Sequence, residues 1–469
     1  MKNNNLKKSV IRIAFSNIIT ILSGILVGFI IPKIMGPNNY GIYKIYSLYL
    51  TYIGLFNIGF VEGIYIKYGG IDYKNLNKEK FRMYTKFLFY IQVIFTVLLF
   101  FISFIFFKNT YTIIFMLLAL SIITKIMTSY FQFVSQLSSR FNELAFRNVI
   151  NALLTIISVI VLFVLWKLNI YETLYYYVYI FVLIFIQFVL TFWYVLTYKD
   201  IVFGKSVSIK ENYKEIIELI KLGLPLLIAN IVGTLILSMD RQFVSVLFDN
   251  STYGIYSFAY NIIGLITTAI SAISTVLYPS LKKKDKSKII DSYYKLSMYI
   301  MIILFGLMSG YYLLIPFINW FLIDYAYSVS ILRIIFPILI FQSLVTIVIH
   351  NFFKAFEKTK LIFYQSIFIL VISFLLNLFS YLLFKSVESI SIASIITVFI
   401  WYMISEYSLL KIEKNKNIKN NAYLVLMLLN YSINLFDIFY LEMIRYLLFY
   451  FIVTILFYFN DINIKKHKN

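Results

Sequence analysis

Long apolar runs alternate with short polar stretches along the whole chain. The runs lie near residues 11–34, 42–66, 87–107, 111–134, 149–166, 174–197, 222–239, 255–277, 297–317, 331–353, 361–383, 388–410, 422–440 and 443–459. Each is close to the ~20 residues that span a bilayer's hydrocarbon core. Helices satisfy their own backbone within one segment, and at this run length they are the structure that meets lipid's demand for paired backbone groups. The pattern predicts an all-α polytopic membrane protein with about fourteen transmembrane helices. The thirteenth run is the weakest, because Asn430, Asn434 and Asp437 dilute it. Twelve helices followed by a re-entrant pair is the alternative. The connecting stretches are too short for a soluble catalytic domain, which argues against a polysaccharide polymerase or a lipid-donor glycosyltransferase.

Charge sharpens the picture. Of 42 lysines and arginines, 33 fall on one side of this arrangement and 8 on the other, with Lys125 inside a run. Basic loops mark the cytoplasmic side, so both termini are expected inside. The net charge of +21 then belongs mainly to a membrane face that meets anionic lipid, and nucleic acid is not an expected partner. Apolar residues make up 61% of the chain, against about 45–50% in soluble proteins. The chain has no cysteine and two histidines, which excludes disulfides and a multi-histidine metal site. No cofactor is expected. The first apolar run is too long for a cleavable signal core and lacks a small-residue cleavage site.

A repeat organises the chain. Tyr40-Gly41-Ile42-Tyr43 recurs as Tyr253-Gly254-Ile255-Tyr256, and Asn17 matches Asn230 at the same offset. Both tetrapeptides sit where an odd helix hands over to an even one on the outer side. The expected layout is two pseudo-symmetric six-helix lobes, 1–200 and 201–412, with two further helices and a basic tail over 413–469. Six helices per half give parallel repeats, an arrangement that favours a central cavity between bundles.

An ordered set of motifs in the first seventy residues resembles Wzx-type polysaccharide flippases of the multidrug/oligosaccharidyl-lipid/polysaccharide (MOP) exporter superfamily. The set is Pro32-Lys33-Ile34-Met35-Gly36-Pro37, Tyr40-Gly41-Ile42-Tyr43, Gly54, Gly59, Glu62-Gly63 and Tyr68-Gly69-Gly70, joined later by Gly223-Leu224-Pro225 and Asp240-Arg241. The resemblance implies two lobes around a central cavity in a bacterial cytoplasmic membrane. It also implies a cargo, undecaprenyl-diphosphate-linked oligosaccharide moved from the inner to the outer leaflet for O-antigen, capsule or related polymers. A polysaccharide polymerase and its chain-length machinery are the partners it suggests, besides membrane lipids. A drug or metabolite cation antiporter of the same superfamily and a peptidoglycan lipid precursor flippase are the alternatives.

Ionisable residues inside spans are costly and mark functional sites. Lys125 is the clearest, a mid-span cation suited to a diphosphate. Glu62 is a candidate ion-coupling carboxylate, or a partner for Lys125, and Asp240 is a second coupling candidate. Arg241, Arg333, Lys33 and Lys44 lie near outer helix ends, where they can grip phosphate or anchor the helices. Asn17, Asn57, Asn230 and Asn261 are read as buried amides whose donors and acceptors match sugar hydroxyls. Gly24/Gly28 and Gly59/Gly63 form small-xxx-small pairs that allow close helix approach, and Pro225 can kink its helix. No Gly-x-x-x-x-Gly-Lys-[Ser/Thr] string is present, so energy is expected from an ion gradient or from consumption of the cargo.

Overall fold

A computed structural model describes residues 2–138, 140–282, 286–356, 358–413, 419–434 and 439–466. Among the described residues the ordered elements are all helical. They run α1 (Lys2–Leu50), α2 (Phe60–Tyr68), α3 (Lys78–Phe106), α4 (Thr110–Leu137), α5 (Phe141–Lys167), α6 (Tyr176–Thr197), α7 (Lys199–Val202), α8 (Tyr213–Ile236), α9 (Met239–Leu247) and α10 (Asn250–Lys282). Then follow α11 (Lys286–Met308), α12 (Gly310–Phe321), α13 (Ser328–Ile335), α14 (Ile338–Ser343), α15 (His350–Ala355), α16 (Thr359–Phe384), α17 (Val387–Glu413), α18 (Lys419–Ile433) and α19 (Phe439–Lys466). Eleven stretches among the described residues are long and apolar enough to cross a membrane. The apolar run read at 422–440 holds a described helix of only 15 residues, α18, and Asp437 lies outside the described residues.

Packing divides the chain into two compact units, 1–257 and 258–469. In the first, α1 packs on α5, α3 and α6 pack on α4, and α2 packs on α8. α1 is not one straight rod, since Gly36 leaves the helical region at φ 68° and ψ 167°.

The run read as one helix over 42–66 is broken. The α-helical part of α1 stops at Leu50, a 3₁₀ turn covers Ile53–Asn57, and α2 restarts at Phe60. Ile58 and Gly59 both adopt left-handed backbone, at φ 51° and 82°. Asn57 holds the break: its Oδ1 accepts from the Gly59 amide at 2.7 Å, and its Nδ2 donates to Glu62 Oε1 at 3.3 Å. Left-handed backbone at a β-branched residue such as Ile58 is uncommon and strained. Irregular backbone at membrane depth survives only where protein covers it or it lines a cavity.

Two glycine seams close the first unit. A Cβ on Gly41 would lie 1.8 Å from the Asn250 carbonyl oxygen, and one on Gly254 would lie 2.1 Å from that of Pro37. The two copies of Tyr-Gly-Ile-Tyr, far apart in sequence, therefore pack backbone to backbone. The second seam joins α2 to α8: a Cβ on Gly63 would lie 1.9 Å from the Leu219 oxygen, and one on Gly223 would lie 2.0 Å from the Gly59 oxygen. Lipid supplies no hydrophobic drive between helices, so close packing at small residues carries such contacts.

In the second unit α17 packs on α13, α14 and α16, and α11 packs on α18 and α19. The helix read at 331–353 is assembled from α13, α14, a π-helical stretch Leu344–Ile349 and α15. Hydroxyls and amides tie the later helices in. Tyr446 donates to the Phe305 carbonyl at 2.7 Å, and the buried Glu406 accepts from Tyr293 at 3.0 Å and Asn421 at 3.3 Å.

Candidate functional site

Lys125 lies near the middle of α4, within an apolar stretch, yet its side chain is exposed. Cavities explain this. Three of them, of about 300, 160 and 190 Å³, each include Lys125 in their wall. The largest reaches the helix break and is lined by Ser47, Thr51, Gly54 and Asn57. The second runs between α4, α5 and α6 past Gln132, Asn148, Asn151 and Gln187 to Arg147. The third passes Ser121, Thr124 and Thr155. Among the described residues no carboxylate lines any of the three. Among the described residues Lys125 makes no ion pair or hydrogen bond.

This geometry corrects one pairing. Glu62 is buried and turned to Asn57, while its Oε2 has no hydrogen-bond partner among the described residues. It does not neutralise Lys125. Asn57 does line the main cavity, but both ends of its amide are committed to the break.

The other candidates fall elsewhere. Asp240 and Arg241, expected to close the seventh span, sit in the separate helix α9. Asp240 is buried and accepts from Tyr256 at 2.7 Å, and Arg241 Nη2 donates to the Leu237 carbonyl at 2.5 Å. α9 is docked on the end of α1 by Gln242, which donates to Tyr49 at 2.8 Å, and Ser238, bonded to Tyr52 at 2.7 Å. Lys44 lies over the rings of Tyr40 and Tyr43 at 5.2 and 5.6 Å. Lys33 is half-buried shortly before the Gly36 bend, and Asn17 is half-buried in α1. None of these lines the Lys125 cavities. Asn230, read as buried, is exposed. The buried stripe of α8 is Leu219, Gly223, Leu227 and Ile231, and Asn230 lies off it. Arg333 and Asn261 belong to the second unit. Both are half-buried, and the Arg333 carbonyl accepts from Tyr431 at 2.9 Å.

The Lys-rich end of the first unit is built differently. Glu215, in the first turn of α8, accepts from Lys67 at 3.0 Å, Lys80 at 3.0 Å, Tyr84 at 2.9 Å and Tyr68 at 3.3 Å. Asp200 accepts from Tyr73 and pairs with Lys78 at 3.2 Å, and Arg82 donates to the Asp200 carbonyl at 2.9 Å. Partial burial pushes the Asp200 carboxyl up, but the hydrogen bonds from Tyr73 and Lys78 outweigh it and hold the group below the usual carboxylate range.

Residues that sequence reading passed over include Arg147, Gln132, Asn148, Asn151 and Gln187. A signal for them existed. Lys125, Thr128, Ser129 and Gln132 repeat at helical spacing on α4, as do Asn148, Asn151 and Thr155 on α5, giving each apolar helix one polar stripe.

Residues 6–284 match the sequence profile of a family described as "Polysaccharide biosynthesis protein". No curated protein matches the chain in sequence. Among solved structures, the lipid II flippase MurJ in an inward closed conformation superposes with a TM-score of 0.72 at 15% identity, over 97% of this chain and 99% of that one. An inward-facing multidrug resistance MATE family transporter of the MOP superfamily gives 0.65 at 11% identity, over 86% of this chain and 100% of that one. A MOP superfamily transporter from Pyrococcus furiosus, described by the reversed polarity of its binding pocket, gives 0.55 at 10% identity, over 87% and 97%.

Proposed function

Because the chain belongs to the polysaccharide biosynthesis protein family and has the fold of MOP superfamily transporters, we propose that it flips a polyprenyl-diphosphate-linked oligosaccharide from the inner to the outer leaflet of a bacterial cytoplasmic membrane. The observation that supports this reading best is Lys125, an unpaired cation where three acid-free cavities converge inside the membrane span. A cation held at membrane depth and facing a cavity favours an anionic ligand. The diphosphate takes Lys125, and the polar stripes and the open backbone of the helix break take sugar hydroxyls. The polyprenyl tail stays in lipid. Alternating access follows from the repeat, with lobes 1–200 and 201–412 rocking about the cargo and residues 413–469 appended. The Lys-rich end, with both termini, faces the cytoplasm.

A cation antiporter is disfavoured, because cationic cargo needs carboxylates in its path and among the described residues these cavities carry none. The likeness to the lipid II flippase over nearly the whole chain makes the peptidoglycan lipid precursor the second cargo to test.

The test is accumulation of polyprenyl-linked oligosaccharide in a deletion strain, with leaflet assignment by an impermeant probe. Cargo held on the inner leaflet and released on restoring the protein supports the proposal and identifies the glycan. Accumulation of lipid II instead reassigns the cargo. Normal translocation of both, with altered tolerance to drugs or cations, returns the antiporter reading.

A further inference from the structure

The cavity between α4, α5 and α6 differs from the one at the helix break. It holds a second cation, Arg147, which is 5% exposed. The guanidinium lies over the Tyr194 ring at 3.9 Å, and its Nη2 donates to Thr197 Oγ1 at 2.5 Å. Its Nη1 is 3.5 Å from Glu143 Oε2, without hydrogen-bond geometry, and its Nε has no acceptor among the described residues. Glu143 is shared: Arg140 pairs with it at 3.1 Å and Tyr198 donates to it at 3.0 Å. One carboxylate, shared with two further partners, leaves the Arg147 charge under-compensated. The amides of Asn148, Asn151 and Gln187 also line this cavity and make no side-chain hydrogen bond among the described residues. Polar groups at membrane depth are costly unless something satisfies them. The volume of about 160 Å³ is room for about five waters, the scale of one sugar ring.

We propose that this cavity is the subsite for a single sugar of the cargo, adjoining the diphosphate at Lys125, and that Arg147 selects a sugar carrying a carboxylate. The proposal rests on the lipid-diphosphate reading above. The three amides serve ring hydroxyls, which both donate and accept. Arg147 serves the acid, because a guanidinium stays charged in any protein surrounding and its planar N–H groups match a carboxylate. A site of this kind rejects the neutral analogue mainly by leaving the buried cation unanswered, so discrimination comes from Arg147 more than from shape.

The test uses the full chain purified in detergent and three probes: farnesyl diphosphate, farnesyl-diphosphate-linked glucose and farnesyl-diphosphate-linked glucuronic acid. The two sugars differ only in a hydroxymethyl against a carboxylate. The wild-type protein is expected to bind the glucuronic acid probe about tenfold or more tightly than the glucose probe. Arg147→Gln should bring the two affinities together, chiefly by weakening the glucuronic acid probe. Lys125→Ala should weaken all three probes in proportion. Asn151→Ala leaves the Glu143, Arg147 and Thr197 contacts intact and should narrow the gain of either sugar over bare farnesyl diphosphate. That variant and the wild-type comparison decide the matter if Arg147→Gln does not fold. Equal affinity of the wild type for the two sugars overturns the proposal, as does a preference that survives Arg147→Gln. Binding of farnesyl diphosphate with no gain from either sugar removes the subsite and leaves the lipid-diphosphate reading standing. Failure of all three probes to bind the wild type removes both.

Discussion

The middle of the first unit and its Lys-rich end use the same residue types for opposite purposes. At the end, Lys67 and Lys80 converge on Glu215, Lys78 on Asp200 and Arg82 on backbone carbonyls, with tyrosine hydroxyls completing the sets. In the middle, Lys125 meets no acid among the described residues. The end is partly wet, so its pairs cost little to form and contribute little each. The middle lies at membrane depth, where an unanswered charge is expensive and marks a functional site. Charge that is matched holds the helices together; charge that is left over is available to cargo.

The sharpest way to break this contrast is to seal a seam that both regions depend on. Gly63→Val would drive a side chain into the α8 backbone at Leu219, where nothing flexible can yield. A loss of about 3 kcal/mol or more is expected, seen as loss of monodisperse protein on size exclusion. Wild-type yield and melting temperature in that variant would show that the α2–α8 contact is not as close as described.

Next in size, Lys125→Ala should lower transport by about 10- to 100-fold, the worth of roughly 1.5–3 kcal/mol for a hydrogen bond to a charged group. Its melting temperature should be unchanged or higher, because removing an unpaired cation relieves its desolvation. Lys125→Arg should keep more transport than Lys125→Ala. If Lys125→Ala instead unfolds the protein, Lys125 is structural and the contrast between the regions fails.

Glu215→Gln should do the reverse, lowering the melting temperature by a few degrees and leaving cargo affinity intact. Its partners are about one-third exposed, so about 1 kcal/mol in total is expected after solvent screening. A drop in affinity for a diphosphate probe without a change in melting temperature would place Glu215 in the cargo path.

The smallest effect concerns acid. Asp200 is held below the usual carboxylate range, so its contribution is complete above the ordinary aspartate value of about 3.9. It is lost as the pH falls through the lowered value. Thermal stability of the wild type should therefore fall more steeply than that of Asp200→Asn in that acid window. Parallel curves would mean that the Tyr73–Asp200–Lys78 set is not formed in solution.

Much of this was legible along the chain. Lipid offers no water to unpaired backbone groups, and apolar runs of about 20 residues satisfy them as helices, so hydropathy alone predicts a helical membrane protein. Lys125 stood out because an ionisable group in a long apolar run carries a cost that no surface residue carries. The Tyr-Gly-Ile-Tyr repeat was visible as a repetition. Other features were hidden for identifiable reasons. The break at 51–59 contains only apolar, small and neutral polar residues, so its hydropathy matches a continuous span. Its existence depends on Asn57 capping the backbone and on protein covering it. Asn230 looked buried because its sequence context is apolar, but burial depends on which face of α8 meets α2. The amides around Arg147 were each too dilute to notice, and only their shared helical phase, once three helices stood together, made them a wall.

Composition and periodicity thus determined the solvent, the helical class and the one conspicuous charge, because each follows from the local cost of placing a residue in lipid. Which charges are answered, which glycines touch and where a span breaks were decided by the tertiary structure, because each depends on partners more than a hundred residues away, such as Glu215 for Lys67 and Gly254 for Gly41.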